Sequence, residues 1–98
     1  MSESALVRRI MDKVASLRRA GLQIKAVKFH GNQYTEAGTP DIHITYGGRS
    51  FWLEVKTGDY EPTEIQKHRM KEWNDAGAVS HVVRSVDAVL MALGIKGE

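Results

Sequence analysis

Apolar residues recur along the chain with two different periods, and the alternation between them lays out the elements. Leu6, Ile10, Val14 and Leu17 step by four, four and three residues, with Met11 beside them, so Glu3 to Ala20 is expected to form an amphipathic helix. Ser2 is placed to cap its start and Gly21 to end it. Leu22 to His30 alternates loosely around Ile24, Val27 and Phe29 and reads as a strand. A polar loop, Gly31 to Thr39, follows.

The next stretch, Pro40 to Lys56, contains two runs of period two that meet at Gly47-Gly48, a pair that favours a tight two-residue hairpin turn. Counting outward pairs Tyr46 with Arg49, Thr45 with Ser50, Ile44 with Phe51, His43 with Trp52 and Ile42 with Leu53, and sets Asp41 opposite Glu54. Side chains alternate between the two faces of a strand. Ile42, Ile44, Tyr46, Phe51, Leu53 and Val55 therefore share a core face, and Asp41, His43, Thr45, Trp52, Glu54 and Lys56 share the other. Thr57 to Pro62 is a loop. Thr63 opens a helix to about Ala76, stopped by Gly77. Ala78 to Arg84 is a strand, and Ser85 caps a last helix, Val86 to Leu93, closed by Gly94. The order αβββαβα predicts an α/β fold: a mixed sheet flanked by helices.

The polar face of the hairpin holds the candidate chemistry. Directly opposed Cβ atoms sit about 5 Å apart, so two carboxylates there repel and need a compensating partner. A divalent cation, which takes oxygen ligands, is the natural one. Lys56 lies one pleat beyond Glu54, within reach of a water held there, where an ammonium group can orient the water and offset charge on phosphorus.

Gly38-Thr39-Pro40-Asp41, twelve further residues, then Glu54-Val55-Lys56 resembles the PD-(D/E)xK nuclease signature, and more narrowly the virus-type replication-repair nuclease (VRR-NUC) group. The resemblance covers nearly the whole chain. It implies a restriction-endonuclease-like core and a single nuclease domain over residues 1–98. It further implies an endonuclease dependent on Mg²⁺ or Mn²⁺ that hydrolyses DNA phosphodiester bonds. Asp41, Glu54 and the carbonyl of Val55 would ligate the metal, and Lys56 would be the water-activating group. Glu3 matches the glutamate the family carries near the start of its first helix, and Gln66 the glutamine of the helix after the hairpin. Each has an ordinary alternative: acidity at a helix N-terminus for Glu3, and a capping box with Thr63 for Gln66. Gln66 shares a stripe with Met70, Trp73 and Gly77, which turns it inward. The family expectation for a chain of this size is a phage or prophage protein, a homodimer acting on branched DNA such as a Holliday junction. The rival reading is an inactive nucleic-acid-binding module on the same fold.

Composition narrows this little. With 42% hydrophobic residues and no cysteine, the chain reads as one ordinary globular domain without disulfide or thiolate metal sites. A net charge of +2 permits a nucleic-acid partner without requiring one. No apolar run is long enough for a membrane span and no signal-peptide pattern opens the chain, so a cytoplasmic setting in a bacterial or phage-infected cell is the expectation. His43 falls on the polar face, and Trp52 is expected to pack under a helix. His30, Tyr34 and Thr39 flank the approach to Asp41, and no zinc spacing or phosphate-binding glycine loop is present.

Overall fold

The computed structural model describes residues 1–29 and 35–96. The elements are α1 (Glu3–Arg19), β1 (Ile24–Lys28), β2 (Ile42–Tyr46), β3 (Arg49–Val55), α2 (Glu64–Asp75), β4 (Val79–Val83) and α3 (Val86–Leu93). The strands form one sheet in the order β1-β2-β3-β4. Both β1–β2 and β2–β3 are antiparallel, whereas β4 runs parallel to β3 after the α2 crossover, so the sheet is mixed. Hairpin register follows the count from the glycines: Tyr46 pairs with Arg49 and Ile42 with Leu53. Gly47 and Gly48 both have positive φ, 61° and 76°, as a two-residue turn of this hand demands.

The hydrophobic layer lies on one side of the sheet. Ile42, Ile44, Phe51, Leu53 and Val55 are buried against Leu6, Ile10 and Val14 of α1 and Val89 and Leu93 of α3. The other side is covered by α2 alone among the described helices. It packs over β3 and β4, where Trp73 stacks on Trp52 with ring centroids 3.9 Å apart. Asn74 reaches across to β4, donating to the Ser80 carbonyl and accepting from the Ser80 N–H, both at 2.8 Å.

Two strands start later than the sequence pattern suggests, for one reason. The Leu22 N–H bonds back to the Leu17 carbonyl and the Ala78 N–H to the Trp73 carbonyl. Each is thus spent on closing the preceding helix beyond its terminal glycine, as in a Schellman turn, and does not join the sheet. The predicted strand over 22–30 therefore starts later, as Ile24–Lys28, and its last predicted residue, His30, lies outside the described residues together with residues 31–34 of the loop, Tyr34 included. Helix boundaries fall within a residue of expectation, with Ser2, Thr63 and Ser85 as N-caps.

Candidate active site

Asp41 stands one residue before β2, at the mouth of the hairpin. Its backbone carbonyl accepts from the Phe29 N–H at 2.8 Å, which extends the β1–β2 pairing past the strand ends. Its Oδ2 accepts from the Val55 N–H, also at 2.8 Å, so the carboxylate is tied across to the strand that carries Glu54. Glu54 is 2% exposed and Lys56 9%. The Lys56 Nζ lies 3.5 Å from Glu54 Oε2. Val55, between them, is directed into the hydrophobic core.

Burial next to another acid dominates the electrostatics. Glu54 is pushed up to about 8, first by loss of water, then by the charge of Asp41 and a hydrogen bond shared with it, with the opposing pull of Lys56 the smaller effect. When Glu54 is ionised its Oε1 is buried and has no donor. A carboxylate oxygen of this kind is costly unless a cation or a proton meets it. The residues fit a hard divalent cation for that reason: it would supply the missing partner and favour the charged form of both acids.

Glu3 lines a cavity of about 250 Å³ at the sheet end together with Arg8, Lys28, Phe29 and Asp41. Glu54 is not among the residues of that cavity, and no group of three His, Cys, Asp or Glu side chains converges among the described residues. Gln66 is spent differently. Its Oε1 accepts from the Thr63 N–H at 2.9 Å and its own N–H donates to Thr63 Oγ1 at 3.3 Å, a complete capping box. Half-buried, it makes no hydrogen bond to Asp41, Glu54 or Lys56 among the described residues. His43 bonds Ser50 Oγ through Nε2 at 3.0 Å and stacks on Trp52 at 4.3 Å; burial holds its imidazole below the ordinary value.

Three features have no simple signature in the sequence. Arg69 Nε donates to the Ala37 carbonyl at 2.9 Å and lies 3.2 Å from Glu36, so α2 holds the loop that leads into Asp41. Arg84 Nη1 donates to the carbonyls of Gly58 and Tyr60, and Nη2 to Glu61, which fixes the loop after Lys56. Gly38 has φ +82°, and a Cβ there would meet the Ile65 carbonyl oxygen at 2.8 Å. The first two join residues more than twenty positions apart, beyond any local pattern. Gly38 belongs to the signature read in the sequence, but the contact with Ile65 that demands a glycine there does not show in it.

No family model and no curated protein matches the sequence. Solved structures do match the fold. One described as a VRR_NUC domain shares 25% identity, covers 86% of this chain and 91% of its own, and superposes with a TM-score of 0.62. The chain has the fold of the VRR-NUC domains. A second VRR_NUC domain protein is 19% identical over 96% of this chain and 86% of its own, with a TM-score of 0.68. A third structure similar to this chain is Hjc from Archaeoglobus fulgidus, a Holliday junction resolvase from an archaeal hyperthermophile. Hjc is 20% identical, covers 84% of this chain and 67% of its own, and has a TM-score of 0.57. On the VRR-NUC fold of this chain, Asp41, Glu54 and Lys56 come together at one end of the β2–β3 hairpin.

Proposed function

We propose that this protein is a metal-dependent endonuclease that hydrolyses DNA phosphodiester bonds. The observation that carries the reading is the Asp41–Glu54–Lys56 cluster: two carboxyl groups in contact, one with a buried oxygen lacking a donor, and an ammonium 3.5 Å away. Asp41, Glu54 and the Val55 carbonyl would hold Mg²⁺ or Mn²⁺. When bound, such a cation polarises a phosphate oxygen and lowers the pKa of water.

The remaining work falls to the chain. Val55 N–H fixes the Asp41 carboxylate through Oδ2 and so holds it beside Glu54. Lys56, nearly excluded from water, donates to the attacking water and holds it in line with the bond to the 3′-oxygen. Attack forms the new P–O bond as the water gives up a proton to bulk solvent, the 3′-oxygen leaves with the shared electron pair and takes a proton from solvent, and the 5′-phosphate remains on the other fragment. Lys56 also offsets the charge that accumulates on the phosphoryl oxygens. Glu3, across the cavity beside Asp41, would act through a bridging water, and Gln66 would support the helix start in preference to touching substrate.

The name of the Hjc neighbour supports branched DNA as the substrate class, and a homodimer would present two such sites to a junction with two strands to cut. The test is cleavage of a four-way junction and of linear duplex with Mn²⁺, Mg²⁺ or EDTA, for wild type and Lys56→Ala. Metal-dependent nicking lost in the variant supports the reading. Binding without cleavage under every metal condition would leave the inactive binding module in its place.

A further inference from the structure

The cations of this chain are unevenly paired. Lys67, Arg69, Lys71 and Arg84 each face a carboxylate. Arg9, Lys13, Arg19, Arg49 and Lys96 make no ion pair among the described residues but line neither depression along β1, whereas Arg8, Arg18, Lys25 and Lys28, on α1 and β1, are unpaired and do line them. The latter stand along β1. Arg8 and Lys28 line the cavity beside Asp41. Arg18 and Lys25 line an open groove of about 730 Å³ at the other end of the strand, walled by Leu22, Val27, His43 and Thr45.

That groove lies on the same side of the sheet as Glu54. Val27 pairs with His43 and Lys25 with Thr45, and both partners belong to the face that carries Trp52 and Glu54. Helix α2 covers only the β3 and β4 half, so Val27 is 43% exposed. Between groove and cavity stands an aromatic ledge. Phe29 and His43 both stack on Trp52, at 5.5 and 4.3 Å, and Phe29 remains 37% exposed.

We infer that this surface receives an unpaired DNA strand and leads it to the carboxylate pair; the inference rests on the nuclease reading above and names its substrate class. A duplex presents phosphates and little else to such a surface. A single strand presents phosphates together with the faces of its bases. A groove with apolar walls, unpaired cations on its rim and an exposed aromatic ring matches both chemistries. A second copy of this chain is disfavoured as occupant, because a two-fold contact through the groove would bring Arg18 and Lys25 against their own symmetry mates.

The experiment separates this inference from the nuclease reading because its primary readout is binding in EDTA. Anisotropy of a fluorescein-labelled splayed-arm DNA and of a blunt duplex of equal length is followed across a salt series. Wild type is expected to prefer the splayed-arm DNA by about tenfold, in line with a stacking contribution of 1–3 kcal/mol per base. Arg18→Glu/Lys25→Glu is expected to abolish that preference and to flatten the slope of log K against log salt by about 1.4, the value for two lost single-strand phosphate contacts. Lys67→Glu/Lys71→Glu carries the same change of charge on α2 and is expected to keep the preference. Phe29→Ala leaves the charges untouched and is expected to weaken splayed-arm binding with no change of slope.

Equal affinity of wild type for the two DNAs overturns the inference. So does an unaltered slope in the α1/β1 double variant, or a wild-type dimer in sedimentation that this variant dissociates. Preference for the splayed arm without cleavage in Mn²⁺ would keep the groove and remove the nuclease; metal-dependent cleavage with no such preference would do the reverse.

Discussion

The Lys56 ammonium sits 3.5 Å from Glu54 Oε2 with both side chains almost closed to water. A pair this buried is a poor source of stability, since desolvation of the two groups offsets most of their attraction. Its place beside Asp41 is better explained by chemistry. Removing Lys56 would ordinarily strand a buried anion, but Glu54 already binds its proton at neutral pH and escapes the penalty by staying protonated. Lys56→Ala is therefore expected to remain folded, with a stability loss of about 1–2 kcal/mol in urea titration from the missing packing and hydrogen bonding. Cleavage is expected to fall by about two to four orders of magnitude. A loss of folding equal to the loss of activity would point to a structural lysine.

Glu54 also sets a pH dependence. Its folded value, about 8, is above the ordinary 4.5, so between these limits the folded chain holds more proton than the unfolded chain. Stability linked to this group is full below 4.5 and is lost as the pH climbs through 8. The metal-free protein is expected to melt at a lower temperature at pH 8.5 than at pH 5.5 on account of this group (about half a unit beyond the upper limit and about a unit above the lower). Glu54→Gln removes the trend. Mn²⁺ is expected to raise the melting temperature strongly at the higher pH and little at the lower, because it binds the ionised carboxylates and must displace a proton at the lower one. A Mn²⁺ stabilisation that does not vary with pH, or that survives in Glu54→Gln, would remove Glu54 from the ligand set.

The hairpin shows why part of this could be read from the chain. Register in a two-residue turn is a matter of counting, and the alternation of Ile42, Ile44, Phe51 and Leu53 with polar partners allows only one face to be buried. Helix limits were legible for a similar reason, since Ser2, Thr63 and Ser85 cap locally. What local pattern could not give was the depth of the site. That Lys56 is buried and that Arg69 and Arg84 fix the two flanking loops depends on contacts between distant residues. Gln66 shows the limit from the other side: one glutamine fits a capping box and a helix stripe equally well, and only coordinates show its Oε1 engaged by Thr63.

Gly38 ties the loop before Asp41 to the first turn of α2. A side chain there meets two obstacles, a φ of +82° and the Ile65 carbonyl oxygen at 2.8 Å. The backbone oxygen belongs to a helix and cannot move aside cheaply. Gly38→Ala is expected to cost about 1–3 kcal/mol of stability. Because relief comes most easily by lifting the loop, Mn²⁺ affinity measured by calorimetry is expected to weaken by about tenfold or more at a temperature where the variant is fully folded. Gly58→Ala provides the comparison. It too has positive φ, 55°, but meets nothing within 4 Å, so its cost should be that of the backbone alone with metal affinity kept. Equal metal binding in both variants would mean that the Gly38 contact does not position Asp41.

The chain has only two tryptophans, and they stack on each other at 3.9 Å and 15° across the interface of β3 and α2. Trp52 is fixed by the sheet and, through its carbonyl, by Ser80 Oγ at 2.7 Å; Trp73 is brought by the helix. The contact is therefore both a source of stability for α2 and a built-in reporter of its docking. Trp73→Ala is expected to cost about 2–4 kcal/mol, the lower part of the range for a large aromatic because the residue is half-buried. Trp73→Phe keeps a ring on Trp52 and should cost about 1 kcal/mol or less. Both variants remove the exciton couplet that two stacked indoles give in circular dichroism, so the couplet alone does not separate packing from docking. Loss of α2 docking would also open Glu54 and Lys56 to water and return the Glu54 carboxyl towards its ordinary value, since burial is the first cause of its displacement. The pH trend in melting temperature is thus expected to shrink in Trp73→Ala and to persist in Trp73→Phe. A full trend in the alanine variant would show that the sheet, without the helix, is enough to bury the acid pair.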